Sequence, residues 1–198
     1  MTINTEDLLN SIIASLGRID YVRSKDIPNI ELYMDQVTTF MEEQFVRTRR
    51  YPDDKVLTKT MINNYAKNDL LPPPIKKKYN KEHIVLLIFI YYFKNILSIK
   101  DIDTLLNPLI EKYFGKEEEF GLQEIYEEIC RNEKLKNSDT QADVKNLYEK
   151  TEQYFENVPE EDRETLQLFA FICSLSFDVY VKKQIIEKLI DGMNDTKK

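Results

Sequence analysis

Residues 58–106 read TKTMINNYAKNDLLPPPIKKKYNKEHIVLLIFIYYFKNILSIKDIDTLL, and this stretch decides the fold more than any other part of the chain. It begins with a short polar segment of helical period, which Thr58 can cap and which three prolines follow. Three lysines and a tyrosine come next. Asn80 is then placed to cap a strongly apolar helix from Lys81 to about Ile96. The stretch therefore predicts two helices separated by a short basic segment.

The rest of the chain also has helical periodicity, and four glycines with seven prolines are too few for a turn-rich β fold. We therefore predict an all-α protein, with at most a small two-stranded wing between Pro72 and Tyr79. Pro108 marks a predicted boundary between domains at 1–106 and 107–198, and polar residues 132–143 are expected to form a linker. The other predicted helices are residues 5–16, 30–46, 58–69, 98–106, 122–134, 139–157, and one that opens at Pro159 and ends near Gly192.

The charge is distributed unevenly along the chain, although the net charge is −7. Residues 47–81 hold ten basic and three acidic side chains, a net charge of +7. Residues 101–198 hold 13 basic and 23 acidic side chains, a net charge of −10. A local basic block is what contact with nucleic-acid phosphates requires, and an acidic remainder is compatible with it.

Several function classes find no support in the sequence. With one histidine, His83, and no glycine-rich phosphate loop, we expect no enzyme, no metal site and no cofactor. Neither Ile84–Phe93 nor Leu166–Val181 is a comfortable membrane span, so we expect no membrane association. The two cysteines form no CxxC pair and no signal peptide is seen at the N-terminus, which favours the cytoplasm.

Three groups of residues are candidates for contact with double-stranded DNA. The exposed face of the helix after Thr58 offers asparagine and lysine side chains, which can read base edges in the major groove. The basic segment after the prolines could contact phosphates as a wing, and the arginine-rich loop before the helix could grip the backbone beside it. These groups are Lys59, Thr60, Asn63, Asn64 and Lys67; Lys76, Lys77, Lys78 and Tyr79; and Arg47, Arg49 and Arg50.

The order of these features resembles the DNA-binding half of the MerR-type winged helix-turn-helix regulators. Leu70-Leu71-Pro72 is similar to that family's exit from its recognition helix, and Leu97–Ile102 is similar to the start of its final short helix. The resemblance covers about 50 residues. It implies a sequence-specific transcription regulator that acts as a homodimer, with residues 107–198 as a helical dimerisation or effector domain. No effector can be named from it.

The chain also resembles a family of bacterial proteins catalogued as a domain of unknown function, on MDQVTTFMEE at 34–43 and LTKTMINNY at 57–65. Asn63 stands where MerR-type proteins carry a phosphate-contacting arginine. That departure and the acidic C-terminal half leave an alternative open. The chain could be a protein-interaction module that has a winged-helix shape and does not bind DNA.

Overall fold

The structure, a computed structural model, describes residues 5–16, 21–116 and 120–195 of the chain. The described residues are mainly helical, as predicted. Short 3-10 turns occur at Ser24–Asp26 and Val46–Thr48. The helices and strands are α1 Thr5–Leu16, β1 Leu32–Tyr33, α2 Met34–Phe45, α3 Lys59–Lys67, β2 Lys78–Tyr79, α4 Lys81–Phe93, α5 Ile99–Tyr113, α6 Leu122–Thr151 and α7 Glu160–Asp195.

Three of the helices begin at the polar residues that the sequence indicates. The Thr58 hydroxyl accepts a hydrogen bond from the Met61 amide at 3.2 Å, so it caps α3. Asn80 and Ser98 cap α4 and α5 in the same way, and each forms a reciprocal capping box with the residue three positions later. A cap satisfies amide groups that would otherwise lack partners, and it contributes about 1 kcal/mol to the stability of the helix.

The two-stranded sheet pairs residues that are distant in sequence. Leu32 lies opposite Tyr79 and Tyr33 opposite Lys78, in antiparallel register. An isolated bridge between Ile75 and Lys78 closes a tight hairpin beside β2. A small hairpin therefore lies within the segment from Pro72 to Tyr79, but β2 pairs mainly with β1, which local periodicity did not reveal. Because β1 occupies Leu32–Tyr33, α2 begins later than predicted.

Helix α4 lies at the centre of the core. All eight residues from Ile84 to Tyr91 are buried. Around α4 pack apolar residues from α2, α3, α5 and the first turns of α6, among them Phe45, Ile62 and Tyr126. A helix that is apolar on every side can be stable in water only when it is surrounded in this way.

Two expected helix breaks are wrong. Helix α5 continues through Pro108, where Leu106 is buried just before the proline and Leu109 packs against the core just after it. Packing on both sides therefore outweighs the hydrogen bond that proline cannot donate. Residues 132–143 lie within α6, whose thirty residues contain neither glycine nor proline. Helix α7 ends at Asp195, close to its predicted end near Gly192.

Residue contacts divide the chain into two compact units. One comprises residues 21–131 and 187–198, and it contains the core around α4. The other comprises residues 1–20 and 132–186, and it contains α1, most of α6 and the first part of α7. The predicted boundary at residue 106 separates a DNA-binding domain from a dimerisation or effector domain. A division by residue contacts does not test these roles, so this boundary stays a prediction.

Among the described residues, one helix has the length and apolar composition that a membrane span requires. It is α7, over Glu160–Asn194, and only 6% of its most apolar window is buried. A single helix of this kind is weak evidence for a membrane protein. The expectation of a chain that does not associate with membranes stays a prediction.

Candidate nucleic-acid interface

Helix α3 presents one apolar face and one polar face, as its sequence indicates. Ile62 is fully buried and Tyr65 nearly so, and Met61 packs partly against the same core. The opposite face is exposed to solvent along its whole length. It consists of the five predicted contact residues Lys59, Thr60, Asn63, Asn64 and Lys67.

The end of α3 is set by Asp69 and not by the prolines. Asp69 adopts a left-handed conformation, with φ of 58°. The Leu70 amide donates to the Tyr65 carbonyl at 3.0 Å, the long backward hydrogen bond that ends many helices. Leu70 and Leu71 are then buried in the core. The chain is thus fixed on both sides of the turn before it reaches the hairpin.

The hairpin after the prolines has an unusual turn. Ile75 and Lys78 exchange two backbone hydrogen bonds, of 3.1 and 2.9 Å. The two residues between them, Lys76 and Lys77, have φ of 51° and 66°. Positive φ at both central positions defines a type I′ turn, in which Asn-Gly is the favoured pair. A left-handed conformation costs a residue with a side chain roughly 1–2 kcal/mol.

Both lysines of this turn are exposed, so the strained backbone places two ammonium groups in solvent at the tip of the hairpin. Lys78, the third lysine, has a different environment. Its Nζ lies 3.2 Å from Glu31 Oε2 and 5.7 Å from the centre of the Tyr33 ring. Lys76 and Lys77 are therefore the lysines of the hairpin best placed to contact a ligand.

Tyr79 does not belong to the exposed surface. Its side chain is 3% exposed and its ring packs edge-on against His83, with the ring centres 5.4 Å apart. Burial raises the pKa of its hydroxyl above the ordinary value. The expectation that Tyr79 contacts DNA is therefore wrong at the level of geometry, because the side chain completes the core beneath the hairpin.

Acidic side chains from the segment around β1 hold two of the predicted contact lysines. Asp35, in the first turn of α2, forms an ion pair with Lys59, in the first turn of α3. Glu31, four residues earlier, forms the ion pair with Lys78. Because Glu31 and Asp35 flank the short strand β1, these ion pairs bring the start of α3 and the hairpin to the same part of the molecule.

The arginine loop lies beside the other end of α2. Arg49 forms an ion pair with Glu42 and donates to the Pro52 carbonyl at 3.1 Å. The Arg50 guanidinium lies 5.2 Å from the centre of the Tyr51 ring, and Arg47 is exposed. Glu42 follows Asp35 by seven residues, or about 10 Å along a helix. The ion pairs thus do not join this loop to the lysines of α3 and the hairpin.

Sequence reasoning missed the acidic partners of these cations. Asp35 lies 24 residues from Lys59 in sequence, and Glu31 lies 47 residues from Lys78. Glu42 and Arg49 are closer, at seven residues apart. No local pattern indicates such distant pairs. Within the described part of the chain, no group of three or more His, Cys, Asp or Glu side chains is arranged to hold a metal ion.

A family model described as a domain of unknown function (DUF1836) matches residues 22–129, which are more than half of the chain and include α2, α3, the hairpin and α4. No curated protein and no solved structure matched the chain. The chain belongs to the DUF1836 family.

Proposed function

We propose that this DUF1836 protein is a sequence-specific DNA-binding transcription regulator with a MerR-like winged helix-turn-helix. The proposal is supported by the order of the elements, in which β1, α2, α3, the hairpin and α4 follow one another. It is also supported by the pairing of β1 with β2, next to the bridge at Ile75. In such a fold α3 enters the major groove and the hairpin contacts the neighbouring backbone.

The turn at Lys76 and Lys77 is the observation that carries the proposal. Two residues with side chains occupy positions where glycine or asparagine would cost less free energy. Strain of this kind clusters at functional sites, and the function that fits two exposed ammonium groups is contact with phosphates. The exposed polar face of α3 would supply the base contacts, through Asn63 and Asn64.

A regulator of this kind needs two copies to read a site with two halves. We propose that the chain forms a homodimer, with residues 107–198 contributing most of the contact. The proposal places the protein in the cytoplasm and requires no cofactor.

The test measures the affinity of the full-length chain for duplex DNA as a function of salt, first on random duplexes and then on a site recovered by genomic binding. The variant Lys76→Ala with Lys77→Ala should weaken binding to all duplexes. It should also lower the slope of log affinity against log salt by about 2, because each lost phosphate contact releases one fewer counterion.

A matched control changes Lys145 and Lys150 to alanine. Both are exposed on α6, in the other compact unit, and their loss changes the net charge by the same amount. The control should leave the slope unchanged. Equal behaviour of the two double variants would refute the role of the hairpin.

The interaction-module alternative is favoured by a specific observation. Lys59, Lys78 and Arg49 each have an acidic partner within the chain, so three of the predicted contacts are already neutralised. Asn63 also lacks the charge of the arginine that MerR-type proteins carry. A folded protein that shows no salt-dependent binding to any duplex would support this second function.

A further inference from the structure

Helix α7 carries a long apolar stripe that none of the described residues of its own unit covers. Phe169 is 63% exposed, Ile172 51% and Tyr180 58%. Cys173 and Ser176 are also exposed. These five residues follow the spacing i, i+3, i+4, i+7 and i+11, which places them on one side of a helix. Phe177 and Val179 widen this surface, which we term the α7 stripe, and they are exposed by 64% and 63%.

The opposite side of α7 is anchored within the unit. The Phe171 side chain is buried and packs edge-on against Tyr148 of α6, with the ring centres 5.4 Å apart. The Gln167 side chain donates to the carbonyl groups of Glu152 and Tyr154. Because α7 is held by this side, the α7 stripe is a stable surface of the folded unit.

The α7 stripe contains no charged residue. The only charge between Thr165 and Val181 is Asp178. Asp178 follows Phe169 by nine residues, which at 100° per residue places it on the opposite side of the helix. Exposed apolar surfaces of this extent mark sites of protein or membrane contact.

The charges at the two ends of the stripe are opposite. Residues 160–164 hold four carboxylates and one arginine, whereas residues 182–188 hold three lysines and one glutamate. Two copies of α7 in parallel would place like charges side by side. Two antiparallel copies would place the acidic end of each beside the basic end of the other.

We propose that the α7 stripe is the contact between two copies of this chain, paired antiparallel. Asp162 and Lys183 lie on the line of the stripe, one before it and one after it. Pairing Asp162 with Lys183 of the partner subunit places the two-fold axis between Ile172 and Cys173. The two Cys173 side chains then lie beside each other at the centre of the interface, where the apolar surface is buried on both copies.

The sequence of the stripe favours a second copy over a lipid bilayer. The Asp178 carboxylate interrupts the otherwise uncharged segment from Thr165 to Val181. The 17 residues of this segment span about 25 Å, which is less than the hydrocarbon core of a bilayer. A bilayer also offers no partner for an acidic end and a basic end. An antiparallel second copy offers a basic end to the acidic end and an acidic end to the basic end.

This interface rests on the homodimer of the proposed function and says which surface forms it. Because the test of the interface uses no DNA, the interface and the DNA-binding function can fail separately. In a full-length Cys130→Ser background, oxidation with copper–phenanthroline should link two chains through Cys173. Disulfide formation needs Cα atoms within about 7 Å, which holds only near the two-fold axis.

Two variants in the Cys130→Ser, Cys173→Ser background test the direction and the face. Tyr180→Cys should give no linked dimer, because antiparallel pairing separates the two cysteines by about 22 Å along the helix. Asp178→Cys should also fail, although residue 178 is as accessible to the oxidant. The pair Thr165→Cys with Tyr180→Cys should restore linkage, since these positions face each other across the axis.

The charge arrangement has a test of its own. Asp162→Lys and Lys183→Glu should each weaken self-association by sedimentation about 3–10-fold, and the two together should restore it. Circular dichroism confirms that each variant is folded. A chain that remains monomeric at tens of micromolar, that links efficiently through Tyr180→Cys, or that floats with phosphatidylcholine–phosphatidylglycerol vesicles through α7 would overturn the proposal.

Discussion

Two apolar helices of this chain have opposite environments. Helix α4 is buried from Ile84 to Tyr91, whereas the most apolar part of α7, from Thr165 to Val181, has one buried side chain, Phe171. Composition alone therefore does not say whether an apolar helix is a core or an interface. The difference lies in the neighbours, because four other helices surround α4 while α7 is covered on one side.

The comparison implies a division of roles between the two compact units. The unit around α4 should carry most of the stability and, in the proposed function, the contacts with DNA. The unit that contains the α7 stripe should contribute mainly to self-association. A change within one unit should therefore mainly affect the property assigned to that unit.

The largest expected effect comes from removing the same side chain in the two helices. Ile88 is fully buried in α4 and Ile172 is 51% exposed in α7. Ile88→Ala should lower the free energy of unfolding by about 2–5 kcal/mol, because it loses buried surface and leaves a cavity. Ile172→Ala should change it by less than about 0.5 kcal/mol, as for other surface sites. Urea unfolding at a concentration where the protein is monomeric makes the comparison.

A pH dependence should also originate in the unit around α4. His83 is 1% exposed, and burial lowers its pKa below the ordinary 6.5, although the carbonyl groups of Pro73 and Pro72 oppose the shift. The unfolded chain then binds a proton that the folded chain does not. Stability should be fully present above pH 6.5 and should fall as the pH drops from 6.5 through the folded-state pKa.

His83→Gln provides the control for this pH dependence. Glutamine keeps the hydrogen-bonding position opposite Asn80 in the capping box but does not titrate. The variant should lose the pH dependence of stability between the folded-state pKa of His83 and pH 6.5. It should keep any pH dependence that arises from carboxylates at lower pH. Identical unfolding curves for the two proteins across this range would show that His83 is not responsible.

The hairpin should show that function and stability conflict at Lys77. Its φ of 66° is a conformation that glycine adopts without strain. Lys77→Gly should therefore raise the free energy of unfolding by about 1 kcal/mol. The same change removes an ammonium group, so affinity for duplex DNA should fall. A variant that gains stability and keeps full affinity would separate the strained turn from DNA contact.

Local chemistry made much of this fold predictable. Thr58, Asn80 and Ser98 are recognisable as helix caps because a cap acts within three residues, and the buried face of α3 follows from the helical period. What could not be predicted depends on distant contacts. The pairing of Tyr33 with Lys78 and the helix that continues through Pro108 are both determined by tertiary packing.

The candidate site was likewise predictable only where it depends on local sequence. The exposed face of α3 follows from periodicity, but Tyr79 is buried because β2 packs against β1, α2 and α4, with the Tyr79 ring against His83 of α4. The left-handed lysines could not be read from the sequence either, since Lys-Lys is not a turn signal. Their conformation follows from the short hairpin that joins Ile75 to Lys78.

The smallest effect concerns the ion pair between Asp35 and Lys59. Both side chains are mostly exposed, at 76% and 59%, so Asp35→Asn should cost less than about 0.5 kcal/mol of stability. In the DNA-binding proposal the same change should raise affinity for duplex DNA about 2–5-fold at low salt. It removes a carboxylate that phosphates repel and releases Lys59 to meet them.

Glu149→Gln, which removes an exposed carboxylate in the other unit, is the control with the same change of net charge. If both variants gain affinity equally, the gain reflects net charge alone; if neither does, the start of α3 does not lie against DNA.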